Sequence, residues 1–220
     1  MSIVPLGECA WTVVLGDKVS RALHQRVTGL AARIAGARLP GLVEIVPAYA
    51  TVTVFFEGGA AEMRTRLDAI CHHERSEVIS PAEGGHPERS EVISQLHAIP
   101  VRYDGPDLQE VAGLTGLSPD EVIHRHTQPE YLVYLLGFVP GFAYLGDLHP
   151  SLVLPRRSSP RTRVPAGSVA IAGAQTAVYP LATPGGWHLL GSTTLEMFDP
   201  AREPAALLRA GDRVRFEPVS

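Results

Sequence analysis

Lysine is almost missing from this chain. Lys18 is the only one among 220 residues, and the other eighteen basic residues are arginine. A Schiff-base mechanism would have that single candidate. No G-x-x-x-x-G-K-[ST] run occurs, which excludes a P-loop nucleotidase. Cysteine is equally scarce. Cys9 and Cys71 lie far apart with no C-x-x-C pair, so a zinc ribbon or a dithiol redox site is excluded. No apolar run reaches the roughly 18 residues of a membrane span. No charged n-region leads into an apolar stretch at the start. The expectation is a cytoplasmic protein without membrane contact. A strong basic excess is also lacking. The formal net charge is -4, against what a general nucleic-acid binder needs to displace counterions.

What is present is a foldable chain rich in turns. Hydrophobic residues make up 45% and charged residues 19%, enough to bury a core. Glycine (21) and proline (19) are in excess, which favours short strands and many turns over a helical bundle.

Residues 1–71 read as a small α+β domain. Ala10–Leu15 is a β-prone run. Apolar residues at Leu23, Val27, Leu30 and Ile34 keep helical spacing over 19–34. Leu42–Val46 and Ala50–Phe56 read as strands, and Ala60–Cys71 as a second helix. Residues 72–95 differ in texture. The run ERSEVIS at 74–80 returns at 88–94. Two copies cannot build a solenoid. The expectation is an inserted, mobile and dispensable linker.

Residues 96–220 read as a mainly-β domain. Ile99–Tyr103 is a short strand, and Asp107 reads as the N-cap of a helix to Leu114. Ser118-Pro119-Asp120-Glu121 is a strong start for a second helix ending near His126. Past Glu130 only Pro204–Leu208 has any helical character. Short apolar runs at 131–136, 168–172, 177–181, 187–190, 195–198 and 213–216 alternate with turn signals, as in a barrel or sandwich.

Chemistry-bearing residues concentrate between 137 and 191. Gly137–Gly146 packs Phe138, Gly141, Phe142 and Tyr144 into a glycine-rich, aromatic turn. Arg156, Arg157, Arg161 and Arg163 fall within eight residues braced by proline, and arginine's planar fork suits carboxylate or phosphate. A solvated basic loop, or a docking surface for an acidic partner, suits this run equally well. Gly167-Ser168 and Gly185-Gly186-Trp187 supply turns with backbone donors, beside Gln175 and Tyr179. Ser168 lacks a G-x-S-x-G frame and an assignable base. His124 and His126 do not share a helix face, so no metal site is expected.

These residues carry a family resemblance. The run 131–146, then PRRSSPRTRVPAGSVAIAG (155–173) and YPLATPGGWHLLGSTTLEMFD (179–199), resembles the B subunit of bacterial ATP-dependent 5-oxoprolinase. That family has also been called allophanate hydrolase subunit 1 and includes the kinase inhibitor KipI. A related module occurs in the carboxylase half of urea amidolyase. The resemblance extends upstream through 99–108 and 121–127, and the repeat at 72–95 departs from it. It implies an α+β N-terminal domain followed by a mainly-β cyclophilin-like barrel. It implies a cyclophilin-like C subunit as partner and a separate A subunit. It implies opening of 5-oxo-L-proline to L-glutamate with ATP and its Mg2+, whether the nucleotide sits on this chain or at the interface with its partner. On that reading His126, Arg156 and Arg161 would be catalytic, with His126 as acid/base or orienting group. Phe138, Gly141, Phe142, Tyr144, Arg157, Arg163, Gly167, Ser168, Gln175, Tyr179, Gly185, Gly186 and Trp187 would bind substrate. The alternatives are a KipI-like inhibitor of a sensor histidine kinase and a subunit of an allophanate- or ureide-acting amidohydrolase. Prolyl isomerase activity would rest on fold analogy alone.

Overall fold

The computed structural model describes residues 1–18, 20–77 and 94–220. The chain divides into two compact units, Met1–Ile93 and Ser94–Ser220. In the first, strands β1 (Ser2–Pro5), β2 (Ala10–Val14), β3 (Leu42–Ala48) and β4 (Thr51–Phe56) form an antiparallel sheet in the order β1-β2-β4-β3. Helices α1 (Arg21–Gly36) and α2 (Ala60–Glu77) complete it. Ser20 starts α1 by accepting the Leu23 N–H on its hydroxyl. Alternate strand residues Val13, Val52, Val54 and Phe56 bury against Leu30 and Ile34 of α1 and Met63 and Leu67 of α2. The short strand β1 has one buried residue, Ile3, too little alternation to stand out in the sequence. Helix α2 runs on to Glu77, into the stretch 72–95 read as a linker. Most of the ERSEVIS repeat lies outside the described residues.

In the second unit, β5 (Leu96–Val101) leads through α3 (Leu108–Thr115) and α4 (Pro119–Thr127) to β6 (Tyr131–Leu136) and β7 (Ala143–Gly146). Then follow β8 (Arg161–Val164), β9 (Ser168–Ala172), β10 (Gln175–Val178), β11 (Thr183–Gly185), β12 (His188–Ser192) and β13 (Arg213–Pro218). Seven of them make one sheet, β12-β9-β10-β7-β6-β13-β5, in which only the β13–β5 pairing is parallel. Arg102, just past β5, exchanges both backbone hydrogen bonds with Ser192 of β12 at 2.8 Å each. The two outer strands therefore meet, and the sheet nearly closes on itself. Its interior holds Ile99, Tyr131, Leu145, Ile171, Val214 and Phe216.

Strand β9 is buried along its whole length, and the sequence SVAIA explains how. Val169 and Ile171 fill the interior, while the small Ala170 and Ala172 face a second apolar cluster with Phe142, Tyr179 and Trp187. Strand β8 pairs with β11 in a separate two-stranded ribbon. Two sequence expectations need correction. Residues 195–198 are not a strand and 204–208 are not a helix. That stretch folds back on itself: Asp199 N–H donates to Ala205 O and Leu207 N–H to Met197 O, both at 2.9 Å. Backbone groups engaged this way are lost to a helix ladder. Among the described residues no helix is long and apolar enough to cross a membrane.

Candidate functional site

Asp107 organises the site. It stands at the N-cap position of α3, as the sequence suggests, but its side chain makes no capping bond. Its Oδ1 accepts from Arg161 Nη2 at 2.6 Å and from Arg157 Nη1 at 3.1 Å. Its Oδ2 accepts the Leu189 N–H at 2.7 Å. One buried carboxylate thus ties α3 to β8, to β12 and to the arginine run. Burial pushes the Asp107 carboxyl up. The hydrogen bonds from Arg161 and Leu189 and the charges of both arginines outweigh it, holding the group below the usual carboxylate range. Arg157 also donates to Glu110. Two of the four arginines therefore already have acidic partners.

Beside this clamp lies a pocket of about 310 Å³. Asp104, Gly105, Arg161, Arg163, Ser168 and Ser192 are among its lining. Arg161 and Arg163 are two apart on β8 and share a strand face. Arg163 has no acidic partner among the described residues. Nη1 of Arg161 is buried without an acceptor. A side chain on Gly105 would run into the Leu189–Gly191 backbone, so the chain passes close here. The volume sits at the small end of the range for ligand pockets.

His126 lies elsewhere. It is fully buried, stacked on Phe216 with ring centroids 4.6 Å apart, and does not line the pocket. Burial pushes its imidazole down to about 3, so the ring is neutral near pH 7. The Thr176 hydroxyl donates to Ala170 O at 3.0 Å, so it accepts from His126 Nε2–H at 2.8 Å. Nδ1 is left to accept the Tyr103 hydroxyl at 2.7 Å. Burial, first of all, keeps that phenol protonated. Both ring nitrogens are engaged, which suits an orienting role through Tyr103 and not proton exchange with a bound molecule.

The aromatics expected to line a binding wall are mostly buried. Phe142, Tyr179 and Trp187 are buried together; Phe142 meets the other two edge-on at 5.3 and 5.8 Å, and Tyr144 at 4.9 Å. Phe138 is 63% exposed on a positive-φ turn. Gly141 packs under Phe198. The Gly167 backbone is engaged with Tyr179 and Thr193, while Gly185 sits against the Tyr179 hydroxyl and the Gly186 carbonyl takes the Arg157 N–H. Gln175 opens β10, and Arg156 is exposed. Of the residues picked from sequence, Arg161, Arg163 and Ser168 converge on the pocket, with Arg157 behind them. The structure adds two acids that the sequence reading did not single out for the site: Asp104, which lines the pocket with Ser192, and Asp107, which holds Arg161. Their signal was two acids flanking Gly105-Pro106, which read as a turn and a cap. Among the described residues no three His, Cys, Asp or Glu side chains gather as a metal site.

Residues 1–208 match the family model for the carboxyltransferase domain, subdomain C and D. The 5-oxoprolinase B subunit of Bacillus subtilis (strain 168) is 41% identical over 231 residues, covering 99% of this chain and 92% of that protein. The chain belongs to the family of 5-oxoprolinase B subunits. The B subunit of Escherichia coli O157:H7 is 44% identical, covering 97% of this chain and 94% of its own. The crystal structure of TTHA0988 superposes with a TM-score of 0.81 at 39% identity, over 96% of this chain. This B-subunit family member spans only 40% of that longer chain.

Proposed function

We propose that this chain is the B subunit of an ATP-dependent 5-oxoprolinase, opening 5-oxo-L-proline to L-glutamate together with a C subunit and an A subunit. The observation that carries the reading is the match, over nearly the whole of both chains, to proteins named for that activity. The pocket is compatible with it. Arg163, with Arg161 behind it, offers a bidentate seat for one carboxylate, and Ser168 adds a hydroxyl to the same pocket. On this reading Arg161 is held in place by Asp107, and His126 orients Tyr103 without touching substrate. The nearly closed sheet corresponds to a cyclophilin-like barrel, preceded by the small α+β domain. The enzyme works in the cytoplasm, where ATP is at hand.

The residues around the pocket do not fit Mg-ATP. Two of the arginines are already neutralised by Asp107 and Glu110, and the carboxylate of Asp104 stands at the rim. A triphosphate would meet that carboxylate in a space sized for a small acid. We therefore place the nucleotide and its Mg2+ at contacts with the partner subunits, with this chain seating the substrate. The kinase-inhibitor and ureide readings are not favoured, because the relatives matched over nearly full length carry the oxoprolinase name.

The test is ATP hydrolysis by this chain co-expressed with its genomic neighbour subunits, with and without 5-oxo-L-proline. Glutamate formed in step with ATP turnover, and lost when this chain is omitted, is the expected result. A stable complex without turnover would point to another lactam or ureide. No complex at all would return the kinase-inhibitor reading to the front.

A further inference from the structure

The pocket holds two opposite charges that do not pair with each other. Asp104 and Arg163 line the same space, yet among the described residues no ion pair joins them, nor joins Asp104 to Arg161. Each has bonding capacity left. Oδ1 of Asp104 accepts the Ser192 hydroxyl at 3.0 Å, and Oδ2 accepts from no group among the described residues. The guanidinium of Arg163 meets no acceptor among them, and the buried Nη1 of Arg161 lacks one. Ser192 is fixed by its double backbone bond to Arg102, so the hydroxyl that holds Asp104 is itself held. Asp104 is solvent-exposed, and the Ser192 hydroxyl is its one hydrogen-bond donor among the described residues.

The geometry points to Asp104 as a specificity-determining residue that reads the N–H of the substrate, resting on the 5-oxoprolinase reading above. A lactam acid has a carboxylate on the carbon next to its ring N–H. With the carboxylate on Arg163, the ring nitrogen turns its hydrogen to the free oxygen of Asp104, which lines the same pocket. A simple acid of the same size would forgo that hydrogen bond to a charged group. The contact also strengthens as the ring opens. Hydrolysis breaks the C–N bond. The hydroxyl of water goes to the carbonyl carbon and its other hydrogen to nitrogen. The proton of the new carboxylic acid then passes to the same nitrogen, giving an ammonium. The neutral N–H donor becomes a cation facing a carboxylate, so Asp104 holds the product nitrogen more tightly than the substrate nitrogen.

The experiment compares 5-oxo-L-proline with 3-oxocyclopentane-1-carboxylate, in which CH2 replaces the ring N–H. The assembled complex is used, with wild-type chain, Asp104→Ala and Arg163→Ala. KM is measured for the lactam, and the inhibition constant for the carbocyclic acid. The wild-type complex should bind the lactam about 10- to 100-fold more tightly than the analogue, the span of one hydrogen bond to a charged group. Asp104→Ala should raise KM for the lactam by that factor and leave the analogue unchanged, so that discrimination collapses. Arg163→Ala should weaken both acids together. An Asp104→Ala complex that still discriminates as the wild type does would overturn the assignment while leaving the oxoprolinase reading intact. A wild-type complex that neither converts the lactam nor binds either acid would overturn the parent reading, and this one with it.

Discussion

A histidine near neutral pH normally balances between charge states, and His126 has been taken out of that balance. Its ring is sealed in the barrel interior with both nitrogens satisfied, so protonation would have to break the bond from Tyr103. The unfolded chain holds the proton with an ordinary affinity, near 6.5. The folded chain holds it only near 3. Below pH 6.5 the unfolded state therefore binds more protons, and stability falls as pH falls toward 3. From pH 7 to 5 this single group should remove about 2 kcal/mol. Urea midpoints of wild type and His126→Gln measured across that interval test it. The variant should begin less stable but lose less on acidification, and parallel slopes would deny His126 this role. The sequence marked His126 by its place before the barrel. It could not show that Tyr103 and Thr176, 23 residues before it and 50 after, would occupy both nitrogens. Reactivity depends on those partners.

At the scale of elements, Asp107 binds three pieces that the chain delivers separately: α3, β8 and β12. Its side chain is 3% exposed, so its removal leaves Arg161 and the Leu189 N–H without their acceptor inside the protein. Asp107→Ala should cost about 3 kcal/mol in urea unfolding, as expected when one partner of a buried ion pair is deleted. Glu110→Ala, which removes the more exposed partner of Arg157, should cost far less. Equal losses would mean that the clamp does not hold the elements together. The elements themselves were partly legible. Tyr131–Leu136 and Ser168–Ala172 are strands with the bounds their apolar runs suggest, and Ser118 caps α4 as its motif implies. Strands β7 and β8 were not legible. One lies within a glycine-aromatic run and the other within an arginine-proline run, and each becomes a strand through its partner, β6 or β11. Pairing supplied from outside overrides local texture.

At the scale of the whole chain, two units carry separate cores, and the pocket belongs entirely to the second. Most of the repeated ERSEVIS lies outside the described residues. Deleting residues 81–94, one copy with the spacer before it, should leave both the unfolding midpoint and the oxoprolinase activity of the complex unchanged. Loss of either would give the repeat a function. The family was legible from long runs of residues, because such runs survive as strings. The pocket was not, since it joins 104 to 163 and 192, and only the folded sheet makes them neighbours.

The same closure has a consequence for the order of synthesis. Strand β5 pairs in parallel with β13, more than a hundred residues further along the chain. Its other neighbour through Arg102 is β12, which also comes late. As the chain leaves the ribosome, β5 emerges with both flanks bare and stays so until nearly the whole second unit has been translated. Contacts this distant close slowly, and an unpaired strand invites pairing with other chains. A nascent chain is thus most exposed to misassembly between the appearance of its fifth strand and that of its thirteenth.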